Sequence, residues 1–242
     1  QYTEADIMID IKCLASSSKG NCYLVDDGRT KLMLECGIRF KNIQQALNFK
    51  LSSIDAVLCT HEHKDHSFSM VDVMRAGVDV YTSRGTAEAL NLFSHRLHII
   101  SARQQFSIGT WLILPLEAVH DAAEPLSFLM SNNVGEKLLF ITDSAYSPYT
   151  FQGLTHVMLE INYCEEVLTR NILEGITPIE MKSRLIRSHC SLENAVKFFK
   201  ANDLSKVLEI HILHLSDSNS DEALIKKTIQ QTTGKPIFIC KR

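Results

Sequence analysis

No apolar run in this 242-residue chain approaches the roughly 20 residues a membrane-spanning helix needs. The N-terminus has no basic-then-apolar leader either, so neither a membrane protein nor a secreted one is expected. The seven cysteines, at positions 13, 22, 36, 59, 164, 190 and 240, are odd in number and contain no CxxC pair. That pattern argues against a disulfide framework and for reduced thiols in cytoplasm. There is no lysine-rich arm or aromatic-interleaved basic stripe, and the net charge is −3, so an electrostatic footprint for a long nucleic acid is missing. Linker-like, repetitive and low-complexity stretches are absent as well. With 45% hydrophobic residues the chain can bury one large core, and a single domain over residues 8–242 is expected. Residues 1–7 read as a short extension before Met8.

What is present is concentrated in Cys59-Thr60-His61-Glu62-His63-Lys64-Asp65-His66-Ser67-Phe68. Three histidines and an aspartate fall within six positions after the apolar run Ile54-Asp55-Ala56-Val57-Leu58. A strand over Ala56–Thr60 would leave His61, His63, Asp65 and His66 on one irregular turn at its C-terminal end, where side chains converge on a small volume. Imidazoles with carboxylates suit zinc, with manganese or iron as alternatives, whereas calcium would not recruit so many nitrogens. One zinc rarely takes more than four protein ligands. His61 and His63 alternate along the backbone and can point to one ion, and Asp65 and His66 to a second. Two half-sites then require further ligands from other strand ends.

Such residues are there. His120 follows Trp111-Leu112-Ile113-Leu114-Pro115-Leu116-Glu117-Ala118-Val119, Asp143 follows Leu138-Leu139-Phe140-Ile141-Thr142, and His214 follows Val207-Leu208-Glu209-Ile210-His211-Ile212-Leu213. Each is a ligand-type residue closing a buried-strand pattern, and together they bring the candidates to seven. His211, three positions before His214, is read as a buried strand histidine.

With these motifs the chain resembles the metallo-β-lactamase-fold hydrolases, in the branch that cleaves phosphodiesters. Besides the HxHxDH cluster, the stretches Leu14-Ala15-Ser16-Ser17-Ser18-Lys19-Gly20-Asn21-Cys22-Tyr23, His120-Asp121-Ala122-Ala123-Glu124-Pro125, Ile141-Thr142-Asp143-Ser144 and His214-Leu215-Ser216, with Asn219 nearby, are similar to bacterial exonucleases of this fold. They are equally similar to phage anti-Pycsar phosphodiesterases, which destroy cyclic mononucleotide signals. Glu160 and Ser188-His189-Cys190-Ser191 resemble elements of tRNA 3′-processing endonucleases. The resemblance implies an α/β chain folded as a four-layer αββα sandwich with two Zn2+ per chain, Mn2+ being the alternative. It implies that His61, His63 and His120 hold one ion, that Asp65, His66 and His214 hold the other, and that Asp143 bridges. A full ligand set for both ions is the arrangement phosphodiesterases of this fold use, which makes Asp65 important for the reaction class.

His189 is the candidate proton donor to the leaving oxygen, lying between the basic segment Lys182–Arg187 and a helix beginning near Ser191. Glu160, at the end of Val157-Met158-Leu159, either orients His189 or caps a strand. Two departures from the family pattern stand out. Ser69 occupies a position where the cluster usually reaches glycine, and Glu35 one where an aspartate usually supports the cluster loop. Cys13, Cys36 and Cys59 read as small buried residues, and Cys190, beside His189, as an exposed and reactive one.

The periodicity predicts strands at Met8–Leu14, Cys22–Val25 and Lys31–Leu34 with a turn at Asp27-Gly28, a helix near Asn42–Phe49 and the strand Ala56–Thr60. A helix near Ser69–Arg75, a strand at Val78–Tyr81 and a helix near Thr86–Phe93 follow. Strands near Trp111–Ala118, Leu126–Met130, Lys137–Ile141 and Val157–Leu159 come next, then the helix Leu192–Ala201, the strand Val207–Ile212, the helix Glu222–Thr232 and an edge strand Pro236–Ile239. The segment 163–187 mixes charged with apolar residues, and Pro178 splits it into two helical pieces; it reads as a lid that also takes part in a homodimer contact, the alternative being a plain surface helical hairpin.

The expected substrate is a nucleotide phosphodiester, with a cyclic mononucleotide first because a small ligand needs only the metals and a few local cations. A 5′-end or single-strand exonuclease acting on DNA or RNA is the alternative, followed by a carbon-centred hydrolase acting on a thioester, lactone or lactam. A non-catalytic metal-binding protein is disfavoured by the complete ligand set. The expected compartment is the cytoplasm, that of the host if the chain is phage-encoded.

Overall fold

A computed structural model describes residues 9–241; the expected strand start at Met8, the extension 1–7 and Arg242 lie outside the described residues. The chain divides into two compact units, one formed by residues up to Glu117 with Ala122–Lys137, the other by Ala118–Asp121 with Leu138–Lys241.

In the first unit, β1 (Asp10–Ser17), β2 (Gly20–Asp26), β3 (Lys31–Leu34), β4 (Ala56–Leu58), β5 (Asp79–Ser83) and β6 (Leu97–Ile100) form a sheet in sequence order. β1–β2 and β2–β3 are antiparallel; the later pairs are parallel. The β2–β3 turn is where expected. Asp27 Oδ1 accepts from the backbone N–H groups of Arg29 and Thr30 at 3.0 and 2.8 Å, and Gly28 takes φ +80°, which favours glycine. Parallel neighbours cannot be joined by tight turns, and the crossovers carry α1 (Phe40–Ala46), the one-turn α2 (Lys64–Ser67), α3 (Met70–Arg75) and α4 (Arg84–Ala89). Leu24, Met33, Ile43, Val57, Met70, Val73 and Val80 pack one apolar cluster between strands and helices. An antiparallel set of β7 (Phe106–Ile108), β8 (Trp111–Glu117) and β9 (Leu126–Ser131) completes this unit.

The second unit is built on four neighbouring parallel strands, β10 (Lys137–Ile141), β11 (His156–Glu160), β12 (Glu209–Leu213) and β13 (Ile237–Ile239). Its helices are α5 (Glu165–Leu173), α6 (Ile179–Ser188), α7 (Leu192–Ala201) and α8 (Glu222–Thr233). α7 and α8 begin where Ser191 and Asp221 accept from the backbone N–H groups of Asn194 and Leu224, at 3.1 and 2.9 Å, and α8 stops at Gly234 in the left-handed region. Pro178 caps α6, so the segment 163–187 is two helices split at the expected residue.

Three local expectations are corrected. β6 and β7 were not anticipated, and each is only three or four residues long. α4 begins at Arg84 rather than Thr86 because Ser83 Oγ caps it, accepting from Thr86 N at 3.2 Å. β4 ends at Leu58 rather than Thr60, whose N–H turns to the Glu35 carboxylate, 3.3 Å from both oxygens. Among the described residues no helix is long and apolar enough to cross a membrane.

Candidate metal centre

Within the first unit the four clustered ligand residues follow β4 directly. His61 and His63 sit on the connecting turn, but Asp65 and His66 ride on α2 rather than on that turn. His61 Nε2 lies 3.1 Å from His63 Nδ1, and Asp65 Oδ2 lies 3.3 Å from His66 Nε2. His61 and His66 are buried, their ring centroids 4.2 Å apart. His61 Nδ1 is in hydrogen-bond contact with Thr60 Oγ1 at 2.8 Å, which fixes the ring and leaves Nε2 facing the cluster.

The loop that carries them is fastened from three sides. A Cβ on Gly37 would fall 1.7 Å from the Asp65 carbonyl oxygen, so only glycine lets the two backbones approach this closely. Cys36 N donates to His66 O at 2.8 Å, and Asn21 Nδ2 donates to Asp65 O at 3.2 Å and lies 3.4 Å from Asp65 Oδ2. Ser69, one of the departures noted above, has a defined task. Its N–H donates to Cys36 O at 2.9 Å and its hydroxyl to Ile38 O at 2.5 Å, tying α3 to the same stretch. Glu35, the other departure, is fully buried at φ +62°, accepts from Thr60 N and places Oε2 3.6 Å from His66 Nδ1. The longer carboxylate therefore still supports the cluster loop.

Within the second unit His120, Asp143, Glu160, His189 and His214 come together. Asp143 Oδ2 lies 3.5 Å from His120 Nε2, and Oδ1 lies 3.2 Å from His214 Nδ1. Asp143, Glu160, His189 and His214 each offer a ligand atom within 4.8 Å of the others. Asp143 and His214 hold φ of +44° and +54°, left-handed conformations that a non-glycine residue keeps only where its surroundings enforce them. His120 Nδ1 faces the Ser188 carbonyl at 2.7 Å, at the end of α6, and Arg184 of that helix pairs with Asp121 at 3.1 Å. Burial lowers the His120 pKa, against the pull of Asp143 and the Ser188 carbonyl, and so favours the neutral imidazole a metal requires.

Glu160, fully buried at the end of β11, places Oε1 2.6 Å from His189 Nδ1 and 3.0 Å from His214 Nδ1. Its Oε2 accepts from Ser144 N and Cys190 N at 3.1 and 3.3 Å. Burial raises its pKa and Asp143 adds to that, but the His189 charge together with the hydrogen bonds from His189 and His214 outweighs both and holds the carboxyl below its ordinary range. For His189 the balance is reversed. Burial opposes its charge, yet Glu160, through charge and hydrogen bond, and Asp143 raise its pKa above the ordinary histidine value. The ring keeps 14% exposure, so it can still reach a ligand from solvent.

Sequence reasoning missed Asn21, Asn162 and Ser188 as parts of the site. Asn162 Nδ2 donates to His214 O at 3.0 Å and lies 3.3 Å from His214 Nδ1. These amides and this carbonyl carry no residue-type signature, and the partners named here are 44 to 68 positions away, so no local spacing marks their contacts. His211 is buried and bonded to Glu209 at 2.9 Å, as a strand histidine should be. Cys190 is corrected: it is buried, and burial pushes its thiol well above the ordinary value, so it is not a reactive cysteine. Cys36 and Cys59 are buried as expected, whereas Cys13 is half-buried.

The family model described as the beta-lactamase superfamily domain matches residues 31–212. The chain belongs to that family. The exodeoxyribonuclease WalJ of Streptococcus pneumoniae is 25% identical over 242 aligned residues, covering 93% of this chain and 88% of the relative. Among solved structures, the metallo-β-lactamase fold protein YhfI from Bacillus subtilis superimposes with a TM-score of 0.75 at 14% identity, covering 96% of both chains. The human short-form tRNase Z does so with a TM-score of 0.63 at 14% identity, covering 97% of this chain and 96% of its own. The chain is thus a mixed α/β protein with two sheets, of the metallo-β-lactamase fold, and a metal-dependent hydrolase.

Proposed function

We propose that this hydrolase cleaves phosphodiester bonds of nucleotide substrates at a two-metal centre. Asp143 carries the reading: one carboxylate turning one oxygen to His120 and the other to His214 suits a bridge between two ions. His61, His63 and His120 would hold one ion and Asp65, His66 and His214 the other, with Asp143 shared; this mixed donor set fits Zn2+, with Mn2+ as the alternative. Such ions, when bound, supply Lewis acidity toward a phosphate oxygen and lower the pKa of water. The chain's own residues do the rest. His189, charged under the influence of Glu160, gives its proton to the leaving oxygen, and Glu160 holds the ring in the orientation that allows it. Residues 8–242 act as one catalytic domain in this reading.

Two finer readings follow. The pneumococcal relative, aligned along most of both chains, favours hydrolysis of DNA from an end. The net charge of −3 without a basic arm favours a cyclic mononucleotide, the substrate expected of an anti-Pycsar enzyme. The segment 163–187 serves as a lid with a dimer contact: Leu173, Ile176, Ile179 and Met181 are exposed around the α5–α6 turn, which Asn171 and Thr177 anchor to Asn219 at 3.0 and 2.9 Å. Reduced cysteines and the nucleotide substrate fit a cytoplasmic enzyme.

One panel tests these readings: metal-loaded protein against cyclic mononucleotides, single- and double-stranded DNA, RNA, bis(p-nitrophenyl) phosphate and an acyl substrate. Turnover of cyclic nucleotides at ~1 per second or faster with little salt dependence selects the cyclic reading. Degradation of DNA from an end, falling steeply between low and physiological salt, selects the exonuclease. Activity on the acyl substrate alone overturns both.

A further inference from the structure

The second unit holds a cavity of about 350 Å3 that the metal-site donors do not line. One wall is a stripe of α7, where Asn194, Lys197, Phe198 and Ala201 recur at helical spacing on one face. The loop after Asp143 contributes Tyr146 and Tyr149 to the lining. Ile141 and Leu159, at the ends of β10 and β11, supply apolar surface. The cavity thus combines flat aromatic walls, an apolar base, an amide and a single cation. That is the chemistry that receives a planar heteroaromatic ring bearing an anionic group: the ring stacks on tyrosine, the amide reads its polar edge and the ammonium meets the anion. The Lys197 ammonium reaches Asn194 Oδ1 at 3.4 Å, a weak contact that an incoming anionic oxygen can replace. The volume lies at the small end of ligand pockets and fits one nucleotide rather than a strand.

Its position couples it to the chemistry. Ser144 and Cys190 both line the cavity, and their backbone N–H groups hold Glu160 Oε2, while Glu160 Oε1 holds His189. We propose that this cavity binds a nucleoside monophosphate, base between the tyrosines and phosphate at Lys197, and that its occupancy is felt at Glu160. The proposal rests on the nucleotide-phosphodiesterase reading, since cyclic-nucleotide opening and release of single nucleotides both yield a nucleoside monophosphate.

Calorimetric titration of the metal-loaded full chain with adenosine monophosphate, guanosine monophosphate and, separately, inorganic phosphate tests it. Tyr146 and Lys197 are exposed, so Tyr146→Ala and Lys197→Met should leave folding intact. The expected result is saturable binding of at least one monophosphate, weakened fivefold or more by Tyr146→Ala and by Lys197→Met, with inorganic phosphate binding unaltered by Tyr146→Ala. No monophosphate binding by the wild-type chain, or binding indifferent to both substitutions, overturns the proposal. Wild-type turnover of bis(p-nitrophenyl) phosphate, measured in parallel, separates the two ideas. Its absence removes the phosphodiesterase reading, while the titration still decides the pocket.

Discussion

Glu160 Oε1 stands 2.6 Å from His189 Nδ1 at the end of β11, and the other oxygen of the same carboxylate is fixed by two backbone N–H groups. A carboxylate held this way cannot swing with the ring, so the ring is held by it. Of the two roles open to Glu160 on sequence grounds, orienting a histidine is the one this contact supports. Nε2 of His189 is left as the end that can address a ligand.

His189→Ala should therefore keep the metals and lose turnover selectively. A p-nitrophenolate departs without protonation, whereas a ribose alkoxide does not. The expected loss is tenfold or less on bis(p-nitrophenyl) phosphate and about 10²-fold or more on a nucleotide. Steady-state kcat on both substrates checks this, and equal losses would remove His189 from the proton-donor role.

The seven candidate ligands stand out in the sequence because each ends a buried strand or follows one, and strand ends are where a change from apolar to His or Asp is conspicuous in a linear sequence. Their supports were not. Asn21, Asn162 and the Ser188 carbonyl reach the site only through tertiary contacts, and an amide or a backbone oxygen looks the same wherever it occurs. Most of the long strands were placed to within two residues at either end, but β1 runs three residues past the expected Leu14, to Ser17. β6 and β7 escaped because three or four residues are too few to establish an alternation. The start of α4 moved to the residue that could cap it, Ser83, whereas α1 starts two residues before the expected Asn42, after Arg39, which makes no side-chain cap bond.

Gly37→Ala should damage the fold rather than the chemistry. The new methyl would overlap the Asp65 carbonyl, which is backbone and cannot rotate away. The loop bearing Asp65 and His66 would have to shift, at a cost of about 3 kcal/mol or more. Denaturant unfolding of the metal-free protein should show a lower midpoint, and an unchanged midpoint would mean that the loop is far softer than this contact implies.

Glu209 offers a test of acid stability away from the metal site. Its carboxyl lies below its ordinary range because His211 donates to it at 2.9 Å, with burial opposing and the charges of His211 and His156 assisting. A depressed carboxylate stabilises the fold above its unfolded pKa of about 4.3, and that contribution is lost as pH falls through the lower folded value. Glu209→Gln should thus cost roughly 0.5–1 kcal/mol at pH 7, a Tm drop of about 1–4 °C. The two melting curves should converge as pH falls below about 4. A difference that persists undiminished at pH 3 would assign the effect to packing instead.

Asp65→Ala separates metal binding from folding. The loop is held through backbone atoms of residue 65, whose carbonyl accepts from Asn21 Nδ2 and lies against Gly37, while the carboxylate is 23% exposed. Removing the carboxylate should leave those contacts in place, so the metal-free variant should melt within a few degrees of the metal-free wild type. The ligand count for one ion drops, and elemental analysis after reconstitution should find about one tightly held ion per chain in place of two. Turnover of phosphodiesters should fall by 10²-fold or more, because the in-line arrangement needs both ions. A variant that retains two ions and wild-type turnover would exclude Asp65 from the ligand set. One that retains a single ion while the wild type also holds only one would dismiss the binuclear reading altogether.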